Sequence, residues 1–379
     1  MSLNSPIGIA ISASGKSTSN NDTQINNDGK IEANRVGTGA GAAGLYINYG
    51  KIHNQSNGSV EVELTGGNNN AVGLFGTNGS EITNDGTVKV GGKKSFGILG
   101  IAYRLDTSGN IVDPSKESFA TSGTPSEFGK VTINNNKDIT MSDDSSIGIY
   151  ALNNTAGTSS VRGNSDIRAT NTSTGTITIG DSSTGLYGTE DSILTNTGTI
   201  TMGNSSTGMY SEGSTTQGIT NAGTITSAGT ASVGVLYKPA STIPTGTVLG
   251  NTGTITLGDS SVGLYGMNTA TNYTTSNSGD ITVGNKGIGM FGYASDVSGG
   301  TITVGDTGVG VYSQGGNVNL TGGTITTGAS EAVGVYTVGS GQTITNSGTA
   351  FNLGDTSVAI ANAGTGNTIN STVGNVGLG

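Results

Sequence analysis

The stretch Thr254-Ile255-Thr256-Leu257 alternates polar and apolar residues, and similar stretches return along nearly the whole chain. Period-two alternation built from Thr and Ile predicts a short strand with one buried face. Gly, Asn, Asp and Ser interrupt the alternation every five to seven residues, too often for a helix to run. The stretches belong to a longer phrase: Asn-x-Gly-Thr-Ile-Thr, a short turn, then Gly-aliphatic-Tyr. Clear copies run from Asn196 to Tyr210 and from Asn251 to Tyr265. The glycine of the second half measures the period, at Gly44, Gly73, Gly97, Gly148, Gly185, Gly208, Gly234, Gly263, Gly289, Gly310 and Gly334. Most steps are 21 to 29 residues; the step from Gly97 to Gly148 is 51 and predicts an insertion or a second, disguised turn. Gly8 and Ala359 read as degenerate first and last copies.

A fixed period of this length signals a repeat architecture. Three short strands per period predict an all-β fold, a right-handed parallel β-helix of about thirteen coils with roughly 25 residues each. Sandwiches and barrels do not repeat one phrase in this way. The whole chain, 1–379, reads as a single solenoid, with a loop or hairpin inserted over 101–130. Stacked coils lie about 4.8 Å apart, so equivalent residues form columns. One apolar column is expected at Ile31, Val88, Ile139, Ile177, Ile200, Ile225, Ile255, Ile281, Ile302 and Ile325. A second, two residues on, includes Val90, Met141, Ile179, Met202, Leu257, Val283 and Val304. The third follows the ruler glycine, from Leu45 and Leu74 to Val311 and Val335. Three columns would fill a narrow core in a chain only 32% hydrophobic. Asn27, Asn84, Asn196, Asn221, Asn251, Asn277 and Asn346 form a further expected ladder. Their amides would bond their own turns and one another, with the glycine two residues on supplying a positive φ.

Charge sharpens this picture. The net charge is −10, and it is uneven: residues 1–169 carry 13 basic and 15 acidic groups, residues 170–379 carry 2 and 10. No basic footprint for nucleic acid exists. There is no Cys, no Trp and a single histidine, His53. A long Cys-free solenoid suits a protein exported unfolded through an oxidising compartment. No apolar run reaches 18 residues, and the start, Met1-Ser2-Leu3-Asn4, lacks the basic and apolar regions of a signal peptide. An exported form would then be a trimmed piece of a longer precursor.

The phrase Asn-x-Gly-Thr-Ile-Thr-aliphatic-Gly-(Asp/Asn)-Ser-Ser-x-Gly-aliphatic-Tyr resembles the passenger repeats of large fusobacterial autotransporters, the RadD-like type Va outer-membrane adhesins. The resemblance covers nearly the whole chain. It implies a β-helical passenger at the surface of a Gram-negative bacterium, anchored by a membrane β-barrel elsewhere in the precursor. It further implies adhesion to a protein or glycan on another bacterium or host cell, with no cofactor, no metal and no catalytic residues.

Two segments break the period. The larger carries Tyr103, Arg104, Asp106, Lys116, Glu117, Phe119 and Phe128 with two of the five prolines, and is the expected partner-binding loop. The smaller begins Tyr237-Lys238-Pro239 and is a secondary candidate. Both are weighed against tolerated, partnerless loops. An aromatic file, including Tyr46, Phe75, Tyr150, Tyr187, Tyr210, Tyr265, Phe291, Tyr312 and Tyr336, reads first as a self-stacking ladder and second as a platform for sugars or a partner chain. Paired Thr-x-Thr residues, as at Thr199/Thr201 and Thr254/Thr256, resemble the surface of ice-binding solenoids but equally suit an exposed strand face. A pectate-lyase-like enzyme would need clustered carboxylates in a cleft. The only adjacent Asp pair is Asp143-Asp144, and Asp144 aligns with turn residues Asp181, Asn204, Asp259, Asn285 and Asp306. No phosphate loop, zinc-ligand cluster or nucleophile elbow appears, so the expectation is a non-enzyme: an adhesin, or a passive stalk of one.

Overall fold

A computed structural model describes residues 2–3, 8–14, 23–36, 41–65, 70–77, 79–103, 131–154, 167–190, 192–214, 218–239, 247–267 and 273–373. Among these there is no helix, and every strand pairing described below is parallel. The fold is a parallel β-solenoid with turns of roughly 26 residues, and its ruler-glycine sheet has thirteen strands among the described residues. The first turn starts on the two-residue strand Ser2–Leu3, and the last described strand, Thr368–Ser371, has no following strand among the described residues. Two compact units are distinguished, 1–198 and 199–379.

In the first unit each turn contributes a strand ending at an Asn corner, a strand after that corner, and the Gly-aliphatic-aromatic strand. The column Leu45, Leu74, Ile98, Ile149 and Leu186 is in register throughout and fully buried. Ile31, Val60, Val88, Ile139 and Ile177 form the facing column. A further column, which the three-column expectation omits, is Ile25, Ile52, Ile82, Ile133, Ala169 and Leu194, on the strand before the corner. Its sequence signal is weak, because the repeated phrase begins only at the Asn that follows it.

The 51-residue step is one turn, not two. Ile82 pairs with Ile133, Val88 with Ile139 and Ile98 with Ile149, so the ladder resumes in register on the far side of 104–130.

The second unit repeats the plan. Ile200, Ile225, Ile255, Ile281, Ile302, Ile325 and Phe351 stack in register, opposite Met209, Val235, Leu264, Met290, Val311 and Val335. The ruler glycines lie between these two columns. A Cβ on Gly263 would stand 2.5 Å from the Gly289 carbonyl oxygen and 2.5 Å from Ile281 Cγ2. The core is therefore one aliphatic side chain thick at this position, and any side chain on the glycine would occupy the volume already filled by isoleucine.

The Asn corners correct one expectation. Gly86, Gly198, Gly253, Gly279 and Gly348 do not adopt the left-handed region. They are glycine because the neighbouring turn is too close: a Cβ on Gly253 would lie 2.1 Å from the Gly223 carbonyl oxygen, and one on Gly279 2.0 Å from that of Gly253. Left-handed glycines follow the corner at the two turns where Asn is missing from it. At Val297 and Leu320 the strand runs through the corner with a register shift, and Gly300 and Gly323 have φ of 65° and 80°. The Asn amide thus bends the chain at most corners, and glycine backbone freedom replaces it at two.

Candidate functional site

The predicted partner-binding segment is anchored at both ends by the ladder. The strand Phe96–Tyr103 pairs with Ile147–Asn154 up to Tyr103 opposite Asn154, and Val131–Asn135 resumes the solenoid. Arg104, Asp106, Lys116, Glu117, Phe119 and Phe128 lie outside the described residues. Next to the exit of this segment, Ala43, Val72, Leu99 and Ile101 form an apolar cluster, with Phe75, Phe96, Tyr150 and Leu152 packed against it. In register, Leu99 continues the aromatic file between Phe75 and Tyr150, and so lies outside the main core columns.

The secondary candidate is not a loop at its start. Tyr237, Lys238 and Pro239 end the strand Val233–Pro239. Tyr237 is 1% exposed and its ring meets that of Tyr273, also 1% exposed, edge-on at 5.8 Å. Pro239 is buried as well, and Lys238 pairs with Glu212 at 2.5 Å. Tyr237 is two residues past the buried Val235, so the same period-two rule that located the core would have placed it inward. The flanking Lys-Pro obscured that signal. Burial raises the Tyr273 phenol well above its ordinary range, consistent with a structural, neutral ring.

The aromatic file is a self-contacting ladder, as first expected. In the first unit Tyr46 meets Phe75 at 4.9 Å and Tyr150 lies parallel to Tyr187 at 4.8 Å. In the second, Tyr265, Phe291, Tyr312 and Tyr336 follow one another at 4.9, 5.0 and 5.2 Å. Ring faces turned toward neighbouring rings leave less surface for a sugar to stack on.

Polar columns are likewise used by the fold. In the first unit Asn27, Asn54, Asn84, Asn135, Asn171 and Asn196 form an unbroken chain, each Nδ2 donating to the next Oδ1 at 2.7 to 2.9 Å. Asn54, Asn135 and Asn171 escaped the sequence pattern because no glycine follows two residues later. Asn221, Asn251 and Asn277 repeat the arrangement in the second unit. Buried Ser95, Ser146 and Ser183 stack beside the ruler glycines, each hydroxyl accepting a backbone N–H of the preceding turn. Asp143 Oδ2 accepts from Gly92 N at 2.7 Å and Asp144 Oδ1 from Asp181 N at 3.0 Å, so both carboxylates of the pair serve turns. Asp259, Asn285 and Asp306 do the same in the second unit.

Outward strand faces differ between the units. Those of the second carry Thr columns, Thr201, Thr226, Thr256, Thr282, Thr303 and Thr326 in register, while the parallel column from Thr199 is interrupted by Asp280. Those of the first carry charge. Glu61 bonds Lys89 at 3.1 Å and Lys30 at 3.4 Å, Lys51 pairs with Glu81 at 2.8 Å, and His53 Nε2 lies 2.6 Å from Asp85 Oδ2. Hydrogen bonds from Lys89 and Lys30 hold the Glu61 carboxyl below its ordinary value of 4.5. Asp85 is also lowered: burial pushes it up, but hydrogen bonds from Asn136 and His53 outweigh that. A depressed carboxylate adds stability above its unfolded pKa and loses it as pH falls through the folded value. Glu61→Gln is therefore expected to lower the melting temperature slightly at neutral pH. That difference should close as the pH drops below 4.5, followed by circular dichroism.

Among the described residues no group of three His, Cys, Asp or Glu side chains is placed to hold a metal ion. No family model, curated protein or solved structure matches this chain. The class that the structure defines is a parallel β-solenoid.

Proposed function

We propose that this chain is part of an autotransporter passenger displayed on the surface of a Gram-negative bacterium. Its solenoid carries the segment 103–130 toward a protein or glycan on another cell. One observation carries the reading: the ladder is in register on both sides of that segment, so 27 or so residues have been added without a shift in the stack, at the small entropic cost of a longer loop. Aromatic and charged residues such as Arg104, Lys116, Phe119 and Phe128 are concentrated there, whereas the repeated Asn, Ser, Asp and aromatic columns are occupied by the fold. Binding residues collect on loops held by a rigid scaffold. The anchor to the outer membrane belongs to another part of the precursor in this reading, which needs no cofactor.

The test is binding of the labelled chain to bacterial and host cells. Saturable binding is expected. Protease pretreatment of the cells removes it if the receptor is a protein, and periodate removes it if the receptor is a glycan. Absence of saturable binding to every surface tried would leave the chain a passive stalk.

A further inference from the structure

One outward sheet face of the second unit breaks the polar rule that its Thr columns follow. The residue before each ruler glycine points outward and is apolar in five consecutive turns: Val233, Val262, Ile288, Val309 and Val333, all half-buried and in register. Three residues on, Leu236, Tyr265, Phe291, Tyr312 and Tyr336 line the same face, also half-buried. Strands apolar on both faces are the mark of a parallel sheet covered on both sides. Contacts between rings account for the aromatic file. The stack has no such need of Val and Ile in the first column, because the preceding turn puts Thr207 there, paired with Val233, and Thr is an equally good strand residue.

Size and charge decide what fits this face. Five turns span about 24 Å, and the two columns stand about 10 Å apart along the strand. With side-chain margins that is roughly 400 Å² of contiguous apolar surface, a size that on a monomer is often functional. Two copies of the chain meeting on it would bury roughly 800 Å², short of the 1,200 Å² or so at which stable protein pairs begin. An extended segment of about seven residues covers the same length. Residues 199–379 carry seven acidic groups and two basic ones. Along one edge of the face, Asp259 and Asp306 stand three residues ahead of Val262 and Val309, and Glu331 two ahead of Val333, with Lys286 the basic member of that edge. A second copy brings the same negative charge to the contact, whereas a basic segment is attracted to it.

We infer that this face docks an extended, basic amphipathic segment of a partner protein. Its apolar side chains lie on the Val and Ile column and against the ring edges of the aromatic file, and its Lys or Arg side chains reach the acidic edge. Apolar side chains can pack on ring edges, whereas a sugar needs ring faces, which the ladder turns toward one another. The surface is separate from 103–130 and does not depend on the adhesive reading. Docking is read with a peptide and adhesion with cells, so either can fail alone.

The probe is a short fluorescein-labelled peptide of alternating Lys and Leu, titrated with the full chain and followed by anisotropy. Saturable binding is expected, weakening as salt screens the charges. The same peptide with Glu in place of Lys, or Gly in place of Leu, should bind far more weakly. Val262→Thr, Ile288→Thr and Val309→Thr combined follow the precedent of Thr207, so the stack is kept, and should weaken binding about tenfold or more. Asp259→Asn with Asp306→Asn keeps the turn bonds, since Asn285 Oδ1 accepts a backbone N–H of the next turn as the two Asp side chains do. That pair should weaken binding several-fold at low salt and leave it unchanged at high salt. Circular dichroism checks that each variant is folded. The inference is overturned if the Lys-Leu peptide does not bind, if the Glu-Leu peptide binds equally well, or if the folded Thr variant binds like the intact chain. Sedimentation of the chain alone tests the other occupant: a dimer that the Thr variant abolishes would assign the face to a second copy, and overturns the inference equally.

Discussion

Gly263→Ala is expected to destabilise the second unit by about 3 kcal/mol, the upper range for forcing a methyl into a packed core. The added Cβ has no direction in which to relax, because it meets the Gly289 backbone oxygen and Ile281 Cγ2 at 2.5 Å each. One of these contacts is backbone that also carries the ladder, so a shift there propagates to the next turn. Gly250→Ala is the matched control. Its Cβ would meet nothing within 4 Å and its φ is not left-handed, so it should be neutral or stabilise by about 0.5 kcal/mol through the unfolded state. Thermal unfolding of the two variants checks the pair. A smaller loss at Gly263 than at Gly250 would mean that the ruler glycine is not a packing position.

The second large effect belongs to the corner ladder. Asn84→Ala should cost about 2–5 kcal/mol, because it leaves a donor on Asn54 and an acceptor on Asn135 buried without their partner. Asn27→Ala should cost less: Asn27 bonds a single amide of the column, that of Asn54. Asn84→Leu is not a rescue, since both neighbours remain polar. The chain itself follows this rule, for the two apolar members of the column, Val297 and Leu320, are adjacent turns and lie side by side. Chemical denaturation of Asn84→Ala and Asn27→Ala measures the difference directly.

Much of this was legible in the repeated phrase, and the failures have physical causes. Alternation in Thr-Ile-Thr located two core columns, and the ruler glycine a third, because each signal repeats in consecutive turns. The column from Ile25 to Leu194 was missed because its neighbours vary: Lys51 and His53 flank Ile52, while Arg168 and Thr170 flank Ala169. Glycine at the corners was recognised but for the wrong reason. Left-handed φ is a property of one residue, whereas contact with the next turn is a property of the stack and leaves no signal at the glycine itself. Lys238 and Pro239 point to a loop at Tyr237, against that residue's own inward phase. For the candidate site, sequence located the interruption of the period. Structure added that this interruption falls within one turn, with the ladder in register on both sides of it.

The account rests on a division of labour: repeated columns build the solenoid, and the interruption at 104–130 binds. One paired measurement separates the two, thermal unfolding and cell binding on the same variants. Replacing 104–130 by a short Gly-Ser linker should leave the melting temperature near that of the intact chain and abolish binding. Tyr312→Ala removes ring contacts to Phe291 and Tyr336, should cost about 2 kcal/mol, and should leave binding intact below the melting transition. The account is contradicted if the linker variant binds as well as the intact chain while Tyr312→Ala loses binding at an unchanged melting temperature.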